Sequence, residues 1–328
     1  MTKRQIWLNL GGLGLLIALL GLVYWQHTGE RAVPGLMEDL QSEDRQAQQL
    51  AALHLKDIGL AAKPAVPLLV ELATADGKSR LHSEAAGALP TIDLSAARQV
   101  IAAWLPRLQD QDPQVRREAA SVLGAIGPVA KPATPSLLAT LHDPNVNVRG
   151  HVVRALGAIG LPTDKVIQGL LAALRDPDWT VRHASVTQFS FSGFSSPESL
   201  TLLHELTNDA NQTVAQSAKS AVASADRPIP ISIQLLTLDQ PMDRTYPLLQ
   251  LAKLGPRAAE AAPKLAALLS AEKPLERYLA ACALESIGPA AKGSLHLLEQ
   301  AAHDSDPIVR EAIAEARLSI AGETRATP

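Results

Sequence analysis

Apolar residues recur along this chain in one pattern, with a period of about 33 residues. In one copy they are Val148, Val152, Ala155, Leu156 and Ile159, and this spacing places them on a single face of an α-helix. The position of Leu156 has counterparts at Leu55, Leu89, Leu123, Phe189, Val222, Leu251, Leu284 and Arg317. A repeat this regular predicts a solenoid, in which each unit buries its apolar face against its neighbours.

A shorter apolar segment comes before each of these helices and predicts a first helix for each unit. Leu137 and Leu138, for example, follow Pro135, and proline suits a first helical turn because it lacks the amide that would be unsatisfied there. In the turn between the two helices, Asp143 is expected to cap the incoming helix and the proline after it to end the outgoing one. Gly127 and the proline after it are expected to close a second helix.

Four segments share an aspartate, an arginine six residues later, and an Ala-rich helix ending in Leu-Gly-x-Ile-Gly or a variant. They are Asp110–Arg116, Asp143–Arg149, Asp176–Arg182 and Asp304–Arg310. These segments resemble HEAT repeats, particularly the short HEAT-like repeats first described in phycobilin lyases, over roughly residues 33–320. The resemblance implies an all-α fold, an α-solenoid of about nine helix pairs whose usual activity is protein binding.

The resemblance also implies a role for the arginines of the pattern. In the family, the Asp and Arg positions usually form a ladder between stacked repeats. We therefore expect a structural role, with a ligand-binding row as the alternative, for Arg116, Arg149, Arg182, Arg277 and Arg310.

Residues 6–25 carry no charge and are long enough for one helix to cross a bilayer. Bulky residues stand where a signal peptidase would need small ones, so the segment predicts an uncleaved signal anchor. Lys3 and Arg4 precede it, which predicts a cytoplasmic N-terminus and, in a bacterium, an inner-membrane protein with a periplasmic domain. The predicted division is 1–5 cytoplasmic, 6–25 transmembrane, 26–32 linker, 33–320 solenoid and 321–328 flexible tail.

One face of this segment consists of small residues that would let a partner transmembrane helix approach closely. They are Gly11, Gly14, Ala18 and Gly21.

Composition argues against several functions. The net charge of −3 and the lack of a basic run interleaved with aromatic residues disfavour nucleic acid as a partner. The single cysteine, Cys282, is expected to be a small core residue. His151 and His183 lie on successive second helices, but two ligands do not make a metal site, and no catalytic signature is present. We therefore expect no enzyme, metal or cofactor.

Large aromatic side chains interrupt the repeat at one place. Trp179 aligns with the N-terminal end of a second helix. Phe191 and Phe194 fall near the end of the same helix, where the apolar face loses its regular pattern. Exposed rings often anchor interfaces, so these three residues are candidates for partner binding. A repacked helix junction is the alternative for the two phenylalanines. Trp104 aligns with a core leucine and is expected to be buried.

These features together predict a noncatalytic, membrane-anchored scaffold for protein–protein interaction, an accessory subunit of a membrane protein complex. Its partner would be another, membrane-associated protein. The alternative, suggested by the resemblance, is a lyase or maturation factor that attaches a cofactor to a protein. The anchor, the outside location and the lack of a distinctive acid, base or nucleophile count against that alternative.

Overall fold

The computed structural model describes residues 32–75, 81–160, 163–192, 197–225 and 244–323. All regular structure in these ranges is helical, which confirms the predicted α-solenoid. Residues 32–40 are helical. The helices that follow are α1 (Arg45–Ile58), α2 (Val66–Thr74), α3 (Leu81–Ile92), α4 (Leu94–Trp104), α5 (Pro113–Ile126), α6 (Thr134–Thr140), α7 (Val146–Ile159), α8 (Asp164–Ala173), α9 (Trp179–Ser192), α10 (Pro197–Leu206), α11 (Gln212–Ala225), α12 (Thr245–Leu254), α13 (Ala262–Ala267), α14 (Pro274–Ile287), α15 (Leu295–Gln300) and α16 (Pro307–Ala321).

The second helices lie where the apolar pattern predicts them. Each central position of the pattern falls on one of α1, α3, α5, α7, α9, α11, α12, α14 and α16. Leu123 is fully buried and Leu156 is 1% exposed, because each packs between neighbouring repeats. Arg317 on α16 is exposed, as expected where a terminal repeat faces water.

Close packing between second helices depends on the glycine of the Leu-Gly-x-Ile-Gly motif. A Cβ atom on Gly124 of α5 would lie 3.0 Å from the Cα of Ala155 on α7. The same position in the next repeat is Gly157, where a Cβ would collide with the side chain of Gln188 on α9. Glycine therefore lets the helices stack more closely than any other residue would.

The ends of the second helices follow the predicted chemistry in part. Gly127 closes α5 with a φ of 72°, a value that favours glycine. The proline after it does not end the helical path of the chain, because it is the second residue of the 3-10 helix Gly127–Ala133. In the turn before α7, the residue that caps the helix also differs from the predicted one. Asn145, not Asp143, caps α7 by accepting a hydrogen bond from the Asn147 amide.

Asp143 instead joins two repeats. Its Oδ2 accepts from Arg116 Nε at 2.6 Å and its Oδ1 from Arg116 Nη2 at 2.9 Å, while Oδ1 also accepts from the Asn145 amide. The same pairing recurs in Arg149–Asp176, Arg182–Asp209 and Arg277–Asp304. Each of these arginines also donates to carbonyls of its own turn. The ladder expected for Arg116, Arg149, Arg182 and Arg277 is thus confirmed.

Arg310 occupies the last position of this ladder. Its Nη1 donates to the carbonyls of Asp304 and Ser305, at 2.6 and 3.2 Å. Within the described residues it binds no aspartate of a following repeat, since α16 belongs to the last helix pair described. Its structural role is therefore confined to its own turn.

The C-terminal repeats fold back on the N-terminal ones. The Tyr278 hydroxyl on α14 donates to the Pro128 carbonyl at 3.0 Å, and Lys131 Nζ lies 2.8 Å from Glu285 and 2.7 Å from Glu315. These contacts place the side chains of α14 and α16 against the 3-10 helix that follows α5. The solenoid is therefore closed by contacts between residues more than 100 positions apart.

The prediction of a single-pass membrane protein with a periplasmic domain is wrong on this structure. No helix in the described part of the chain is long and apolar enough to cross a membrane. The longest of them, α16, has 15 residues, fewer than the roughly 20 that a bilayer requires. Residues 6–25 lie outside the described ranges, and the predicted domain boundaries remain predictions. The same holds for the small residues expected to pack there, Gly11, Gly14, Ala18 and Gly21.

Candidate functional site

An open groove of about 700 Å³ crosses three successive second helices, α3, α5 and α7. Its floor is formed by small residues, which leave the space between the helices unfilled: Ala120, Gly124, Ala125, Ala155 and Ala158. Its polar lining comes from longer side chains: Ser83, Glu84, Arg117, Glu118, Ser121, His151 and Arg154. The groove follows from the repeat itself, because equivalent positions of neighbouring helices lie side by side.

The arginines of the groove differ from those of the ladder. Arg117 and Arg154 make no ion pair with a carboxylate in the described part of the chain. Arg154 is exposed, yet the groove walls desolvate it enough to lower its pKa from the ordinary value. The nearest polar group is His151, whose Nδ1 lies 3.2 Å from Arg154 Nη2. The groove therefore holds two guanidinium groups that form no ion pair with a described carboxylate, although Glu84 and Glu118 also line it.

His151 is held in a defined orientation. Its Nδ1 lies 2.8 Å from the carbonyl of Asn147 and 3.2 Å from Arg154 Nη2, both on its own helix. Burial lowers the pKa of His151, and the positive charges of Arg154 and Arg117 lower it further. The ring is thus neutral at pH 7. His183, its counterpart on α9, lies 3.2 Å from the Ser217 hydroxyl.

The acidic side of the groove is anchored in the core. Oε1 of Glu118 lies 2.7 Å from Nδ1 of His82, and both side chains are buried. The His82 ring packs against Trp104, whose Nε1 donates to the Ala73 carbonyl at 2.6 Å. Trp104 is 1% exposed, which confirms the prediction that it belongs to the core. Glu118 is therefore already paired and does not balance Arg117.

The structure describes the side chain of only one of the three aromatic candidates. Trp179 is 42% exposed at the first turn of α9, where Asp178 caps the helix by accepting from the Thr180 amide. The Phe191 side chain and all of Phe194 lie outside the described residues, so their predicted role stays a prediction. Phe189, two residues before Phe191, is buried. The sequence did not single out the groove, because its arginines stand on helix faces that look merely solvent-exposed.

No cluster suited to metal binding occurs in the ranges that the structure describes. Three or more potential metal ligands do not converge at any point there. Cys282, predicted to be a core residue, is buried on α14, and burial raises the pKa of its thiol to about 12. A thiol with this pKa is protonated at neutral pH and is a poor nucleophile.

Comparisons with known families agree with the helical repeat. Residues 101–190 and 134–223 match the family profile described as HEAT repeats. Residues 295–316 match a second profile, described as a HEAT repeat associated with sister chromatid cohesion. Among curated proteins, none matches the chain.

The solved structures similar to this chain include engineered and designed proteins. One engineered protein is 21% identical, with 89% of each chain covered and a TM-score of 0.37. A designed armadillo repeat protein is 19% identical over 59% of this chain and 100% of its own, with a TM-score of 0.37. Another, solved in complex with the peptide (KR)4, is 20% identical over 59% of this chain and 99% of its own, with a TM-score of 0.39.

Proposed function

Since this chain is a HEAT-repeat solenoid, we propose that it is a noncatalytic scaffold that binds another protein as an accessory subunit of a complex. The observation that carries the proposal is the groove across α3, α5 and α7, an open surface built from three repeats. Stacked repeats create extended surfaces of this kind, and such surfaces suit elongated protein ligands better than small molecules.

Trp179 supports the same function at a second place. A tryptophan with 42% of its surface exposed at a helix mouth contributes little to the core. Tryptophan is also enriched among the residues that dominate binding energy at protein interfaces. We propose that Trp179 contacts the partner, together with Phe191 and Phe194.

The alternative function, a cofactor-attachment lyase or maturation factor, has no observation in its favour. Attachment of a cofactor to a protein requires an acid, a base or a nucleophile beside the cofactor. The groove offers a neutral imidazole that is bonded to its own helix, and Cys282 is buried away from it. Binding is the function that these groups support better.

The test is partner recovery by Trp179→Ala. The variant should recover the partner with an affinity weakened by about 1–4 kcal/mol, since an interface anchor is lost, while its melting temperature stays near that of the wild type. The measurement is quantitative mass spectrometry of proteins captured with the tagged full chain, supported by thermal melts.

The matched control is Tyr246→Ala, which removes another aromatic ring, 61% exposed, from α12. Recovery should be unchanged for this control. If both variants recover the same proteins in the same amounts as the wild type, Trp179 is not part of the interface.

A further inference from the structure

We infer that the groove across α3, α5 and α7 binds an extended, acidic segment of the partner protein, with Arg117 and Arg154 pairing with its carboxylates. This inference rests on the proposed function and names the chemistry of the segment that the groove accepts. Three features of the groove support it: its charges, its dimensions and the residues at equivalent positions of neighbouring repeats.

The charges point to an anionic ligand. Ladder arginines such as Arg116 and Arg149 each hold an aspartate through two nitrogen–oxygen contacts shorter than 3.0 Å. Arg117 and Arg154 face the groove, with no carboxylate partner in the described ranges. The acid nearest in sequence, Glu118, is committed to His82. A carboxylate entering the groove would supply the bidentate partner that a guanidinium prefers.

The register of the repeats leaves room around both guanidinium groups. The positions equivalent to Arg117 in the neighbouring repeats are Ser83 and Gly150, and the position equivalent to Arg154 in the preceding repeat is Ser121. Small residues therefore flank each arginine along the stack. At these aligned positions there is neither a long side chain nor an acid, and Glu84 lines the groove beside Ser83.

The dimensions suit an extended peptide. Neighbouring helices pack with axes roughly 8–10 Å apart, so three helices span roughly 16–20 Å. An extended chain covers about 3.3–3.6 Å per residue, so about five or six residues would cross the groove. The floor of alanine and glycine lets the peptide backbone approach the helices closely. The arginines stand on adjacent helices, α5 and α7, which fits carboxylates two to three residues apart along such a peptide.

The experiment measures the binding of labelled eight-residue peptides to the full chain by fluorescence polarisation. The probes alternate alanine with glutamate, glutamine or lysine. We expect the glutamate peptide to bind at least about tenfold more tightly than the glutamine peptide, a difference of about 1.4 kcal/mol. Binding should weaken as the salt concentration rises, because salt screens pairing between charges that solvent reaches.

The decisive variant is Arg117→Gln combined with Arg154→Gln. It should abolish the preference for glutamate over glutamine. The matched control is Arg175→Gln, which removes the same charge from an exposed arginine in the turn before α9. The control should keep the preference, and melting curves should show that all variants are folded.

Three outcomes would overturn the inference. The first is equal binding of the glutamate and glutamine peptides, and the second is a preference that survives the double substitution. The third is complete displacement of the peptide by millimolar inorganic phosphate, which would make the groove a general anion site. In each case, loss of the partner by Trp179→Ala would still support the scaffold function, so the two failures can be told apart.

Discussion

At the scale of single residues, some charged side chains form ion pairs that hold neighbouring repeats together, and others have no such pair. Asp143 closes its own turn and holds Arg116 of the preceding repeat. Burial is the largest influence on the pKa of Asp143 and would raise it, but the hydrogen bonds from Arg116 and the Asn145 amide, together with the charges of Arg116 and Arg149, lower it below the ordinary value. Lys253 on α12 is the opposite case. It is only 8% exposed, and its ammonium group forms no hydrogen bond or ion pair with any other described residue.

Lys253 is expected to destabilise the fold. Its Cε packs beside Gly160, where an added Cβ would lie 2.6 Å away, and burial lowers its pKa to about 8. Lys253→Met should therefore raise the free energy of unfolding at pH 7 by about 1–3 kcal/mol, because each unit of pKa shift corresponds to about 1.4 kcal/mol. The measurement is urea unfolding of both proteins.

The pH dependence of this gain has a definite sign. Between about pH 8 and pH 10.5 the unfolded lysine binds more protons than the folded one, so the stability of the wild type rises with pH in this window. The advantage of the methionine variant should thus be largest below pH 8 and shrink above it. Lys264→Met, at an exposed position, should change stability little at any pH. Equal effects of the two substitutions would show that Lys253 is not strained by burial.

At the scale of helices, the repeat is built from second helices that approach closely at glycine. Gly124 and Gly157 are the same position of successive repeats, yet their neighbours differ. The neighbour of Gly124 is the backbone of Ala155, which cannot move alone, while the neighbour of Gly157 is the flexible side chain of Gln188. The same substitution should therefore have unequal effects at the two positions.

Gly124→Ala should lower the free energy of unfolding by about 1–3 kcal/mol, because the new methyl group forces α5 and α7 apart. Gly157→Ala should cost less. Gln188 can rotate away, and alanine gains about 1 kcal/mol of helix propensity over glycine. Denaturant midpoints of the two variants provide the comparison. A larger loss for Gly157→Ala would contradict the assignment of backbone contact to Gly124.

At the scale of the whole molecule, the C-terminal repeats close the solenoid through a polar contact. Lys131 reaches Glu285 and Glu315, which are 154 and 184 residues away. Burial is the largest influence on the pKa of Lys131 and would lower it, but the charge of Glu285 and the hydrogen bonds to Glu285 and Glu315 act together to raise it. A second pair, Arg98–Glu311, joins the same regions at a more exposed position, with about two-fifths of each side chain reaching solvent.

Lys131→Ala should destabilise the protein by about 1–3 kcal/mol, because it leaves two partly buried carboxylates without their cation. Arg98→Gln should cost about 0–1 kcal/mol, as is usual for an exposed ion pair. Thermal unfolding measures both, and small-angle scattering should show an increased radius of gyration for the Lys131 variant. The closure would not depend on Lys131 if the Arg98 variant were the less stable of the two.

The sequence by itself determined the local architecture. The period of the apolar positions located the second helix of each repeat, from Leu55 on α1 to Arg317 on α16. The resemblance to HEAT repeats predicted the ladder of arginine–aspartate pairs between repeats. These contacts join neighbouring repeats, so ladder partners lie 27 residues apart and recur as a visible pattern. The turn chemistry was less well predicted, because Asp143 and Asn145 can both cap a helix and only their contacts distinguish them.

The tertiary structure alone decided the closure and the groove. Contacts such as Tyr278–Pro128, across 150 residues, depend on the small rotation that each repeat adds to the last, and no local pattern encodes that sum. The groove arginines also look like ordinary surface residues until three helices are placed side by side. Burial, unlike periodicity, is a property of the assembled array, which is why Arg117 and Arg154 emerged only from the structure.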